Sequence, residues 1–395
     1  MKIIYIHQYF KTPLQSGGTR SYEFAKIMHA RGHDVHMITS YNDTKFKQEI
    51  IEGLNIYWLP VSYHNQFGAF KRVISFLKFM FLAFKTAYNI KDADICYASS
   101  TPLTVGVIAM MLKKFKKIPF VFEVRDLWPE VLIQMKFIKS PILKKLAYRL
   151  EKSVYAASKS IVVLSPGMAL GVQKYQLNKE IHLLPNSADL ELFKPQDRPE
   201  HLIETLDLTN KNGIIYFGTI NKTNHLEYFI QLAKCSQNKK YNHLKFFLVG
   251  EGSEVKRILE MVKELKLENF VFLESLPKIL LNEVLNIMDF SYISFLKLPV
   301  LQTNSPNKFF DSLSAGKICI VNTEGWLKNL VEENNCGLYA DPENHEQAIE
   351  EINNLINDPI KMKNLATNAR ILAEKEFDRL LLAGKLVDIL EQEIQ

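Results

Sequence analysis

Cysteine is scarce: the 395 residues hold four, Cys96, Cys235, Cys319 and Cys336, far apart and without CxxC or Cys/His spacing. That excludes a disulfide scaffold and a zinc ribbon, and it suits a reducing compartment. Long apolar runs are also lacking. A spanning helix needs roughly 18 or more apolar residues without charge. The candidate Thr101–Leu112 has twelve and runs into Lys113 and Lys114. Met1-Lys2-Ile3-Ile4-Tyr5-Ile6 is too short for a signal peptide and has no small-residue cleavage site. It reads as a buried strand, and the expected location is the cytoplasm. Sixteen glycines and 15 prolines, with 47% hydrophobic and 23% charged residues, exclude collagen-like, coiled-coil and disordered chains.

What is present is enough chain for two domains of about 200 residues, since single cores stop growing near ~250–300. Charge divides the same way. Residues 1–190 hold 26 Lys and Arg against 13 Asp and Glu, a balance of +13, whereas residues 191–395 carry −7 within a total of +6. The basic half predicts either an anionic partner or a lysine-rich solvated surface.

Short apolar strands alternate with helices. Strands are read at Ile3–His7, His33–Thr39, Asn55–Leu59, Asp94–Ala98, Phe120–Glu123 and Ser160–Leu164, with helices at Arg20–Ala30, Ala69–Ile90 and Leu143–Ala157. After the turn-rich Leu184–Pro195 the pattern restarts at Gly213–Phe217, and the tail from Glu346 to Ile394 is helical with a break at Asp358-Pro359. This predicts α/β architecture: two doubly wound, Rossmann-like parallel sheets with a ligand cleft at the carboxyl ends of their strands. The domains are drawn at 1–190, 191–376 and a closing helix, 377–395, that can cross back to the first.

Polar clusters fall at those strand ends. His7 ends the first strand and Ser16-Gly17-Gly18-Thr19-Arg20 leads into the first helix, either as a close-approach loop for an anion or sugar or as a plain strand-to-helix turn. Glu123-Val124-Arg125-Asp126-Leu127-Trp128-Pro129-Glu130 can position a hydroxyl and take up its proton, or start a helix with Asp126 as cap and Glu130 on a backbone amide. Gly218 and Gly250 allow backbone approach, with Thr219 and Lys222 beside the first. Ser305-Pro306-Asn307-Lys308-Phe309-Phe310-Asp311 is the strongest local signal, a Ser-capped helix with Pro in its first position. No acid lies between Pro299 and Asn304, so that helix start favours a phosphate, with Asp311 one turn in for a ribose hydroxyl.

Taken together these segments resemble the large retaining glycosyltransferase family of the GT-B fold that contains sucrose synthase and bacterial lipopolysaccharide transferases. "ARGHDVHMITS", the interdomain "LPNSADLELFKP", and "YFGTI", "LVGEG" and "SPNKFFDSLSAGK" occur in the family's order over nearly the whole chain. "EVRDLWPE" and "SPNKFFD" are most similar to the branch that adds amino-deoxy sugars such as N-acetylfucosamine in O-antigen and capsule assembly. The family's Glu-x7-Glu reads Thr303 and Asp311 here, and its Gly-Arg…Lys places hold Thr219 and Asn224, with Lys222 nearby.

The resemblance implies a GT-B enzyme whose two domains face a central cleft. It implies metal-free transfer with retention from a nucleotide sugar, UDP-linked, to a polyprenyl-diphosphate-linked saccharide. Asp126, Glu123 and Arg125 would be catalytic. Gly218, Thr219, Lys222, Gly250, Thr303, Asn304, Ser305, Pro306, Asn307, Lys308 and Asp311 would bind the donor. His7, Gly17, Gly18, Arg20 and Glu130 would bind the acceptor. No cofactor is expected. Asp92-Ala93-Asp94 resembles a metal-holding DxD but precedes its strand, away from the predicted site, so no metal ligand is assigned. Phe70–Lys85 combines five aromatics with four cations, and either lies on an anionic membrane or packs its aromatic face into the core. The expected place is the inner face of the cell membrane, as a peripheral protein. No nucleic-acid module is recognised. The alternatives are a UDP-sugar 2-epimerase-like isomerase and a non-catalytic sugar-nucleotide-binding protein.

Overall fold

The computed structural model describes residues 1–13, 18–63 and 67–394, with Ala69 and Phe70 as backbone only. Two compact units emerge, Met1–Pro185 with Arg379–Gln395, and Asn186–Asp378.

The first unit carries eight strands: β1 Lys2–Ile6, β2 Asp34–Tyr41, β3 Lys47–Ile51, β4 Leu54–Pro60, β5 Ile95–Ser99, β6 Phe120–Val124, β7 Ile161–Val163 and β8 Ile181–Leu183. Their order is β3-β4-β2-β1-β5-β6-β7-β8, parallel except for β3 against β4. β5 and β6 are buried at every residue, as expected of strands covered on both faces. Its helices are α1 Arg20–Ala30, α2 Ala69–Asn89, α3 Thr104–Lys116, α4 Glu130–Gln134, α5 Pro141–Ala157 and α6 Pro166–Gln173, joined at the chain's end by α15 Arg379–Gln392. α15 packs on α1: Leu382, Leu386 and Leu390 share one cluster with Phe24, Met28, Ile3 and Tyr5. Arg379 pairs with Glu23 and Arg31 with Asp388 at the rim. Elsewhere in the unit α2 packs on α3 and α3 on α5.

The second unit holds β9 Asn212–Phe217, β10 Leu244–Val249, β11 Phe270–Leu273, β12 Phe290–Ile293, β13 Ile318–Val321 and β14 Gly337–Tyr339. They form one parallel sheet in the order β11-β10-β9-β12-β13-β14. Around it run α7 Glu200–Thr205, α8 Glu227–Asn238, α9 Val255–Glu264, α10 Lys278–Asn286, α11 Asn307–Ser314, α12 Trp326–Glu333, α13 His345–Ile356 and α14 Pro359–Glu376. Alternate residues of β9 feed two cores: Ile214 and Tyr216 pack with Phe229 and Ile349, while Ile215 and Phe217 pack with Leu285 and Met288.

α2 has a buried face and an exposed one. Phe79, Ala83 and Ala87 are buried, whereas Val73 (51%), Leu77 (50%) and Phe81 (67%) form an exposed row four residues apart beside exposed Lys71, Lys78 and Lys85. Among the described residues no helix is long and apolar enough to cross a membrane.

Candidate functional site

In the first unit the carboxyl ends of β1, β5 and β6 lie side by side, because Ile6 pairs with Ala98 and Ser99 with Glu123. This register gathers His7, Ser99, Glu123, Arg125 and Asp126. His7 is buried, with Nε2 3.1 Å from Arg125 Nη1 and Nδ1 2.7 Å from Ser21 Oγ. A guanidinium only donates, so Nε2 accepts and Nδ1–H donates to Ser21. Burial first, then Arg125 and Arg20, hold this imidazole well below its usual value, and it stays neutral.

Glu123 and Arg20 were expected to meet substrate, and the structure corrects both. Glu123 is fully buried, Oε1 receiving Arg20 Nε at 3.1 Å and Nη2 at 3.0 Å, and Oε2 receiving Ser99 Oγ. Burial alone would raise this carboxyl, but Arg20, Arg125, Ser99 and Tyr97 outweigh it and hold it below the usual range. Arg20 also donates to the carbonyls of Leu184 and Pro185 and lies over the Phe24 ring. Four of the five guanidinium N–H groups and both carboxylate oxygens of the pair are thus engaged within the chain. It braces α1 against β6 and the end of the unit's main segment.

Asp126 differs. It is half-buried, and among the described residues its carboxylate makes no side-chain hydrogen bond. Burial pushes its carboxyl up to about 6, with Arg125 pulling the other way. Nor does it cap a helix: α4 starts after Pro129 without a side-chain cap. Glu130 does not serve a backbone amide. Its two oxygens accept from Tyr148 Oη at 2.5 Å and Gln134 Nε2 at 2.8 Å. Gly18 is exposed, and Gly17 lies outside the described residues.

Aromatic side chains that the sequence reading did not assign run beside this strand end. Tyr9 follows β1, Tyr63 follows β4, and Trp128 follows β6. Tyr9 and Tyr63 are 5.1 Å apart between ring centres, Tyr63 stacks on Phe76 at 5.8 Å, and Phe76 meets Trp128 edge-on at 6.4 Å. The signal available was positional: each of the three lies within a few residues of a strand's carboxyl end.

In the second unit three segments converge. Gly218 (φ +117°) ends β9 and Gly250 (φ +149°) ends β10. A Cβ on Gly250 would stand 2.0 Å from the Gly218 carbonyl oxygen, so only glycine fits. The Thr219 carbonyl accepts from Tyr216 Oη and Asn224 Nδ2, both at 2.7 Å, which fixes the turn. Lys222 is exposed. The third segment is the start of α11. Lys308 reaches back from its first turn and places Nζ 3.7 Å from the centre of the Tyr216 ring. Among the described residues that nitrogen is buried without a hydrogen-bond partner, and burial pushes it down to about 7. A Cβ added at Gly218 would lie 3.4 Å from it.

Ser305 is not the cap that its sequence suggests. α11 begins at Asn307 with Pro306 in the cap position and no side-chain cap bond. Ser305 Oγ instead accepts the backbone N–H of Asn186 at 3.1 Å. Asn304, Pro306, Asn307 and Asp311 are half-buried around this turn. Thr303, where a carboxylate stands in the family pattern, donates its hydroxyl to the Val300 carbonyl at 2.8 Å.

Metal chemistry finds no cluster: among the described residues no three His, Cys, Asp or Glu stand together as metal ligands. His29 and His33 are four apart in sequence, but Gly32 at φ +86° separates them, and His33 turns to Met1 and Glu391. Asp94 accepts the N–H of Lys2 at 2.6 Å, at the amino ends of the strands.

Residues 197–372 match the family model described as glycosyl transferases group 1, and residues 17–192 match glycosyltransferase family 4. No curated protein matches the chain significantly. Among solved structures it is similar to a sucrose-phosphate synthase from Thermosynechococcus elongatus, at 17% identity and TM-score 0.81 over 99% of this chain and 98% of that one. It is similar to Anabaena Alr3699/HepE in complex with UDP-glucose, at 17% identity and TM-score 0.74 over 99% and 100%. It is also similar to WaaG, a glycosyltransferase involved in lipopolysaccharide biosynthesis, at 15% identity and TM-score 0.70 over 98% and 99%. With one family model on each unit and this fold throughout, the chain belongs to the group 1 and family 4 glycosyltransferases, enzymes of GT-B type.

Proposed function

We propose that this glycosyltransferase moves a sugar, an N-acetylated amino-deoxy hexose, from a UDP donor to a saccharide carried on polyprenyl diphosphate, with retention and without a metal, in bacterial surface-polysaccharide synthesis. The observation that carries the donor half is Lys308. A buried ammonium without a hydrogen-bond partner among the described residues, on the first turn of a helix whose N–H groups have no side-chain cap, is a place prepared for an anion. The diphosphate of a nucleotide sugar fits that chemistry, and Gly218 and Gly250 leave room for it beside the strand ends. Asp311 would accept from the ribose and Thr303, a hydroxyl in place of a carboxylate, would face a sugar with fewer hydroxyls to hold.

In the reaction the bond from the anomeric carbon to the diphosphate oxygen breaks. The acceptor oxygen bonds to the same face, and its proton passes to the departing phosphate oxygen. Lys308 and the α11 amides stabilise the charge that develops on the leaving group, which is the larger catalytic demand. Asp126 orients the acceptor hydroxyl, and the Tyr9–Tyr63–Phe76–Trp128 row offers ring faces to the acceptor's sugars. Glu123, Arg20 and His7 act behind them by holding Arg125 and the strand ends in place. The lipid anchor of the acceptor accounts for the exposed apolar row and cations of α2, which would rest on the inner face of the membrane.

Incubation with a panel of UDP-sugars, with and without a polyprenyl-diphosphate saccharide, tests this reading. Free UDP and a product one sugar heavier should appear only when both substrates are present. Conversion of the UDP-sugar to an isomer, or binding with no turnover, would overturn it.

A further inference from the structure

Three helices of this chain open with a side-chain acceptor followed by proline, and each is capped by that acceptor. Ser140 accepts from Leu143 N, Ser165 from Met168 N and Asp358 from Lys361 N. Ser305-Pro306 has the same sequence, yet α11 has no such bond and starts one residue later. The difference is Asn186, which lies 119 residues away in sequence. Its backbone N–H occupies Ser305 Oγ at 3.1 Å and its Nδ2 donates to the Ser305 carbonyl. Asn186 is 5% exposed, and its Oδ1 is buried with no donor among the described residues. The same segment holds the other end of α11, where Ser314 Oγ donates to the Phe193 carbonyl, and Arg370 of α14 donates Nη1–H to the Ser314 carbonyl.

A capped helix has spent its first free N–H groups on its own side chain. An uncapped one keeps them for a ligand. We propose that Asn186 is a positioning residue for the donor: by clamping Ser305 away from the first turn of α11 it keeps that turn open to the diphosphate. The inference rests on the donor-site reading above and adds to it a residue of the segment between the two sheets that touches no ligand itself.

Calorimetric titration of UDP into the full chain decides the matter, with uridine as the phosphate-free control. Asn186→Ala keeps the backbone N–H on Ser305 Oγ but removes the Nδ2 bond that pins the Ser305 carbonyl. Ser305 can then swing its hydroxyl to the helix, and UDP affinity should fall about fivefold, the worth of one cap. Ser305→Ala alone should stay within about twofold of wild type. The double variant has no hydroxyl left to close the helix and should recover to within about twofold as well. A merely structural clamp predicts the opposite, a double variant no better than Asn186→Ala. Asn186→Asp, nearly isosteric and with no side-chain donor for the Ser305 carbonyl, replaces the alanine variant if that one fails to fold. Unchanged affinity in the single variant, or no recovery in the double, overturns the proposal. Wild type that binds UDP no better than uridine overturns the donor site with it.

Discussion

Lys308 Nζ lies 3.7 Å from the centre of the Tyr216 ring and has no hydrogen-bond partner among the described residues. No carboxylate offsets its burial, which alone pushes the ammonium down to about 7. A Lys whose folded pKa is depressed binds fewer protons folded than unfolded between the two values. Stability contributed by this site should therefore rise with pH from about 7 towards the unfolded value, ~10.4. Lys308→Met should remove that slope and raise the melting temperature near pH 6, read by thermal melts across pH. Equal slopes in both proteins would contradict the burial account.

Asp126→Asn should lower transfer by about 10²-fold or more while UDP affinity stays within about twofold. The carboxyl titrates at about 6, so wild-type rate should rise with pH through that value as the orienting carboxylate forms. The variant should lose this limb. A rate profile with the same limb in the variant would assign the titration to another group.

Arg20→Ala should destabilise the first unit by about 3–5 kcal/mol, because it strands Glu123 as a buried, unpaired carboxylate. Glu123 is held below its usual value, so its share of stability is present above the unfolded carboxylate pKa and lost as pH falls through the folded one. Arg20→Met with Glu123→Leu should be less destabilised than Arg20→Ala. Denaturant unfolding at pH 7 and pH 4 checks both statements.

Much of the fold was legible because its strands are short apolar runs buried on both faces, as Ile95–Ser99 and Leu244–Val249 show. β3, β8 and β14 were not read. They are three to five residues long, all three lie at sheet edges, and the apolar Ile50 of β3 is 71% exposed, so none has a buried pattern to announce it. The site was legible as strand-end clusters but not in its allegiances. Arg20 reads as a ligand contact until Glu123, 103 residues on, takes it. Ser305 reads as a cap until Asn186 takes its hydroxyl. Long-range competition for a single donor or acceptor leaves no local trace.

Anionic vesicles should recruit the protein and neutral ones should not, with binding that weakens as salt rises above physiological strength, where the screening length is ~8 Å. Replacing the exposed Lys71, Lys78 and Lys85 by Gln should weaken flotation without lowering stability. Arg72 is left in place, since it donates to the Phe67 carbonyl at 2.9 Å. Equal flotation with both lipids, or with neither, would leave the α2 row without a membrane role.

The central claim is that the start of α11 holds the donor diphosphate through Lys308, and paired titrations of UDP and uridine into wild type and Lys308→Met test it most directly. Loss of a charge-assisted bond should cost UDP roughly 1.5–3 kcal/mol, about ten- to a hundredfold in affinity. Uridine, with no phosphate, should bind both proteins alike. Equal losses for the two ligands, or no loss for UDP, would contradict the account.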